Sequence, residues 1–239
     1  DTSAKEFNDR YYELLNKNAD GKEFASLLKG VIAHNKNDEE LDEETAERLQ
    51  KIINYCNTAL NKAKAAKVGY NKKMVREVKG STDGISPSLI KLVAVNKNTT
   101  MKKGSDNIKD DFPAAGFEWS SKLREQDVVN ATIKTSGQYY EIRLTLGKEQ
   151  NPAKGEKSSY GRVMSVIDAA EAGKMVPGIK SINMNYHDGY VYAKVDSKTG
   201  KLVAAEFSAA ADIQADIKIF GSVSVKDIVS TETFTNIVW

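Results

Sequence analysis

Few residues in this 239-residue chain combine the type and spacing that chemistry requires. There are two histidines. His34 sits in a polar linker, and His187 precedes Asp188-Gly189, a pair that reads as a tight hairpin turn. Neither has a cysteine or a second histidine at ligand spacing, so both read as surface residues and no metal site is expected. The single cysteine, Cys56, lies on the apolar stripe of a helix, where a thiol behaves as a small core residue rather than a nucleophile. NKNADG, Asn16 to Gly21, imitates the start of a calcium loop, but the twelfth position is Leu27 where a bidentate acid is required. KGSTDG, from Lys79 to Gly84, is too short for a phosphate loop and reads as a turn. No serine occupies a G-x-S-x-G elbow, and no carboxylate pair stands in an apolar setting that would part its pKa values. No catalytic constellation emerges, and no cofactor is expected.

The tyrosines are the other candidates. Tyr139, Tyr140, Tyr190 and Tyr192 fall on strand faces and could form a platform for a sugar or peptide. Packing across neighbouring strands is the plainer reading.

The elements that must position these residues are organised around one run. From Val203 to Ile219 every odd position is apolar, through Ala205, Phe207, Ala209, Ala211, Ile213, Ala215 and Ile217, while Glu206, Ser208, Asp212, Gln214, Asp216 and Lys218 lie between. A period of two predicts one long strand, buried on one side and wet on the other. At about 3.3 Å per residue it would span about 55 Å, so it must twist and curl, with a bulge. The last strand, Ser222 to Trp239, supports the bulge: Val223 and Val225 share one parity and Ile228, Phe234 and Val238 the other.

Upstream, residues 3–16 and a segment from Asp20 through Ile32 have helical spacing, and a third, longest helix runs to about Lys64 with Leu49, Ile52, Ile53, Cys56, Leu60 and Ala63 on one stripe. Val68 to Lys79 alternates weakly, as an edge strand would. Ser86-Pro87 signals a short helix. Residues 97–122 read as a long loop. Val129 to Ile133 and Tyr140 to Leu146 form a hairpin across TSGQ, 147–161 is a second polar loop, and Val163 to Ala170 has helical spacing. Ile182 to Tyr186 and Val191 to Val195 then make two strands. The expected class is α+β: a long, curled antiparallel sheet around one or two helices. Residues 1–45 form an N-terminal helical segment and 46–239 the curled-sheet domain, unless all is one domain.

The hairpin REQDVVNATIKTSGQYYEIRLTL, the segment YVYAKVDSKTGKLVAAEFSAAADIQADIK and the ending TETFTNIVW resemble an uncharacterised group of exported, often lipid-anchored proteins of Gram-positive, clostridia-type bacteria. INYCNTALNKAKAAKVGYNKK resembles the helix that opens the shared region, and the likeness covers roughly residues 50 to 239. The resemblance implies an extracellular or membrane-anchored location and is silent on activity. The polar opening DTSAKEFNDR fits a chain whose export signal has been removed, and equally a cytoplasmic one.

Composition narrows the partners. Lysines and arginines (35) nearly cancel aspartates and glutamates (33), and the lysines are spread along the chain, which argues against a nucleic-acid partner. No apolar run reaches the ~18 residues of a membrane span. Two binding readings follow. In the first, the alanine-lined concave face holds an apolar or amphipathic small molecule, walled by Phe207 and Ile213 with Tyr186 or Tyr192 at the mouth. In the second, the third helix fills that face and the protein is a structural or interaction domain with a surface protein or other macromolecule as partner. An enzyme is the least supported reading.

Overall fold

The computed structural model describes residues 43–85, 90–91, 94–166, 178–218 and 221–239. The two N-terminal helices expected from the sequence, NKNADG and His34 lie outside them, as does nearly all of the helix expected from Ser86-Pro87.

Helix α1 (Glu43–Ala65) is the longest described helix. Leu49, Ile52, Ile53, Cys56, Leu60 and Ala63 recur at three- and four-residue spacing and are all buried. Lys62 and Lys64 in its last turn complement the helix dipole. The helix stops where Lys67 turns left-handed, at φ 48°, and the Val68 N–H donates back to the Ala63 carbonyl at 3.3 Å.

The strands are β1 (Gly69–Val78), β2 (Thr82–Asp83), β3 (Val95–Met101), β4 (Val128–Ser136), β5 (Tyr139–Leu146), β6 (Glu149–Gln150), β7 (Ile179–Asp196), β8 (Leu202–Ile217) and β9 (Gly221–Val238). They form one antiparallel sheet in the order β3-β1-β9-β8-β7-β5-β4, with β2 on β9 and β6 on β7. The fold is α+β, as expected. A second described helix, α2 (Ile108–Asp111), is a single turn.

Strands β7, β8 and β9 run 18, 16 and 18 residues, and their length produces two cores. The main core lies under α1, where Leu144, Val191, Ala193, Ala205, Phe207 and Phe234 meet the helix stripe. At the far end of the long strands Ala215, Ile217 and Val223 make a small second cluster with Ile179 and Ile182. Two bulges separate them. In β7, Asp188 and Gly189 stand opposite the single residue Ala209, between the pairs His187–Ala210 and Tyr190–Ser208. In β9, Lys226 and Asp227 stand opposite Asp212, between Ala211–Ile228 and Ile213–Val225. Asp188 and Asp227 take left-handed φ values of 51° and 50°. The parity change read from β9 is this second bulge, and it leaves Val223, Val225, Ile228 and Phe234 all buried.

Several expectations need correction. The Val68–Lys79 segment is an inner strand, paired on both sides by β3 and β9. Residues 97–122 are no single loop: they begin in β3 and include α2, and the segment after it is tied down by the helix. Asn61 Oδ1 accepts from the Ser120 and Ser121 N–H groups at 2.7 and 2.8 Å, and its Nδ2 donates to the Ser121 carbonyl at 2.8 Å. One turn earlier, Asn57 Nδ2 donates to the Leu123 carbonyl at 2.8 Å. The 147–161 segment holds β6 and a 3-10 turn, Gly155–Lys157. Val163 to Val166 are turn and irregular backbone, not helix, and the rest of that expected helix lies outside the described residues. Asp188-Gly189 is a bulge within one continuous strand, because Tyr160 packs against Gly189 and a hairpin there would break β7. The long strand has one wet face only at its ends: Ser208 and Ala210 are buried along with Phe207, Ala209 and Ala211, since small side chains in mid-sheet are covered by their neighbours.

Candidate functional site

The four residues expected to line an apolar groove do not converge. Phe207 is a core residue, 3% exposed, edge-on to Phe234 with ring centroids 5.8 Å apart. Phe234 in turn meets Phe112 and Tyr70 at 4.8 and 5.1 Å. Tyr186 packs edge-on against buried Tyr160 at 5.2 Å. Ile213, read as the middle of the buried face, is only half-buried, pairing with Met184 and Val225 beyond both bulges. Tyr192 lies on the other side of the sheet, because it alternates with Val191 and Ala193, which face α1.

That other side carries an ordered polar surface. Cross-strand pairing aligns Arg143, Tyr192, Glu206, Thr233 and Lys73 in one row across β5, β7, β8, β9 and β1. The Arg143 guanidinium sits 3.6 Å from the ring centroid of Tyr190, a cation–π contact. The Tyr190 hydroxyl donates to Glu206 at 2.6 Å, and Thr233 donates to the other Glu206 oxygen at 3.0 Å. Burial first, and then the Glu206 carboxylate, push the Tyr190 hydroxyl pKa up. Lys194 lies 4.6 Å from the Tyr139 ring centroid and 3.6 Å from Glu141, which also meets Lys134 at 2.9 Å. Of the four tyrosines read as a platform, Tyr139, Tyr190 and Tyr192 share this face. Tyr140 does not: it is 1% exposed, edge-on to Tyr55 of α1.

Farther along the same face, between the two cores, the two bulges assemble a cluster that sequence spacing does not reveal. His187 Nδ1 lies 2.7 Å from Asp188 Oδ2. His187 Nε2 lies 3.4 Å from Asp212 Oδ1 and 3.6 Å from Asp227 Oδ1. The Asp227 N–H donates to Asp212 Oδ1 at 3.0 Å, and Lys226 Nζ donates to Asp212 Oδ2 at 3.0 Å. Burial pulls the His187 pKa down, but the Asp188 and Asp212 carboxylates outweigh it, and the pKa lies above the ordinary histidine value. Burial likewise raises that of Asp212, and the Asp227 N–H, Lys226 and His187 overcome it and hold Asp212 below the carboxylate range. His187 is thus no exposed turn residue: its side chain is 12% exposed. Sequence reading missed its partners because they come from two other strands. The one available signal was the parity change in β9, which marks the bulge that delivers Asp227.

Other candidates close down. Cys56 is fully buried, and burial pushes its thiol up to about 12. No known protein family matches the chain, and no match is found among curated proteins or solved structures.

Proposed function

We propose that this chain is a non-catalytic interaction module of the cell exterior that engages a macromolecular partner through the open, tyrosine-bearing face of its sheet. The observation that carries this reading is the state of the opposite face. Phe207, the residue expected to wall an apolar groove, is 3% exposed and packed on Phe234 under α1. Burial of an apolar face against its own helix is the ordinary outcome of folding, and it makes the small-molecule reading the weaker one. The open face instead presents aromatic rings held under cations, Tyr190 by Arg143 and Tyr139 by Lys194. Aromatic and arginine side chains are enriched at interaction surfaces and among the residues that carry their binding energy. The resemblance to exported, lipid-anchored proteins supports the exterior location. No described helix is long and apolar enough to cross a membrane.

The test is binding of the purified chain to isolated cell-envelope material from a Gram-positive bacterium. Saturable binding should fall at least about tenfold, some 1.4 kcal/mol, when Tyr192→Ala and Glu206→Lys are combined, and should persist in Phe207→Leu. Absence of saturable binding to any envelope fraction, or binding indifferent to the open-face pair, would refute the proposal.

A further inference from the structure

The bulge cluster has the arrangement of a metal centre. Three potential ligand atoms, one each from His187, Asp212 and Asp227, lie within 4.8 Å of one another. The separations from His187 Nε2, 3.4 and 3.6 Å, exceed a normal hydrogen bond. They match instead the edge of a tetrahedron around a metal with bonds of about 2.0–2.1 Å, which is about 3.3–3.4 Å. We propose that His187 Nε2, Asp212 Oδ1 and Asp227 Oδ1 bind one divalent transition cation, Zn2+ by ligand type, with a fourth position open to water.

The surroundings are those of a ligand set. Asp188 Oδ2 takes the Nδ1 side of the imidazole at 2.7 Å. A carboxylate there fixes the tautomer with the proton on Nδ1 and aims the Nε2 lone pair at the two aspartates. A lone pair facing carboxylate oxygens is repulsive unless a metal cation or a proton lies between them. Asp212 is held in turn: Lys226 binds its other oxygen at 3.0 Å, and the Asp227 N–H donates to Oδ1 at 3.0 Å. The ligands stand on three adjacent strands, and side-chain exposures of 12%, 21% and 49% leave the cluster reachable from solvent on the Asp227 side. Imidazole favours zinc-like ions over calcium or magnesium, which take all-oxygen sites.

The same geometry has one competing account: a protonated imidazole paired with the aspartates, needing no metal. Calorimetric titration of the chelator-treated full chain with Zn2+ separates them, with Co2+ as a spectroscopic stand-in. The metal account predicts one Zn2+ per chain, a raised melting temperature and visible Co2+ bands of a tetrahedral site. Asp227→Asn should weaken Zn2+ binding at least about tenfold and remove the Co2+ bands. This variant should keep its fold, because asparagine tolerates the left-handed φ of 50°. Asp188→Asn, which does not touch the ion, should weaken binding by about 10–100-fold. Failure of the folded chain to bind Zn2+, binding unchanged in Asp227→Asn, or preference for Ca2+ over Zn2+ would each overturn the assignment.

Discussion

The imidazole of His187 and the carboxylate of Asp188 meet at 2.7 Å although they are neighbours in one strand. Consecutive residues of a regular strand point to opposite faces. The pair can meet because Asp188, at φ 51°, opens a bulge that returns its side chain to the histidine's side. The next residue fixes the bulge in place. A Cβ added to Gly189 would lie 2.4 Å from the Tyr160 ring, and the Gly189 N–H donates to the Tyr160 hydroxyl at 3.2 Å.

Gly189→Ala is therefore expected to destabilise the fold by about 1–3 kcal/mol, the usual cost of overpacking a buried site. Denaturant unfolding measures it. A variant as stable as the parent would mean that Tyr160 does not pack on the bulge.

Cys56 should react slowly with thiol reagents in buffer and fully in denaturant, since it is completely buried. Its pH signature has a definite sign. The thiol is pushed up to about 12 in the folded chain, against about 8.5 when unfolded. The folded state holds the proton more tightly, so the contribution is complete below about pH 8.5 and is lost as pH rises toward 12. Between pH 8.5 and 10 the stability of the parent should fall relative to Cys56→Ala, with a slope of at most about 1.4 kcal/mol per pH unit. Rapid labelling of the native protein, or parallel stability curves, would contradict the burial.

Much of the fold was legible because it rests on local periodicity. The stripe from Leu49 to Ala63 and the alternation from Val203 to Ile217 each follow from one element's spacing. What was illegible depended on partners distant in sequence. β3 (VNKNTTM) has almost no apolar alternation, because it is a polar outer strand that owes its form to β1. Asp188-Gly189 has the composition of a turn and becomes a bulge through Tyr160, which no local rule supplies. Ile213 has the parity of a core residue, yet it lies past the end of the helix-covered region and is only half-buried. The His187 cluster was hidden for the same reason, since Asp212 and Asp227 stand near it only once β7, β8 and β9 are aligned.

Asn61 holds the 120–121 backbone to α1 through three hydrogen bonds. Asn61→Ala leaves two N–H groups and a carbonyl unpartnered, and should cost about 2–3 kcal/mol. Hydrogen exchange at the Ser120 and Ser121 amides should accelerate with it. Unchanged exchange there would show that the segment is held by something else.

Phe207 and Ile213 share the apolar parity of β8 but differ in cover. Phe207→Ala should cost about 3–5 kcal/mol. Ile213→Ala, at a half-exposed position, should cost about 1 kcal/mol. Equal losses in thermal and chemical unfolding would place both residues in one continuous core.

That difference bears on the central claim, that the helix side of the sheet is full and binding belongs to the open face. The most direct measurement is titration of the folded chain with a hydrophobic fluorescent probe and a panel of fatty acids, following fluorescence and melting temperature together. A filled core predicts no saturable uptake and a melting temperature indifferent to ligand. Uptake near one molecule per chain, with a melting temperature that climbs with ligand concentration, would contradict it and return Phe207 to the wall of a groove.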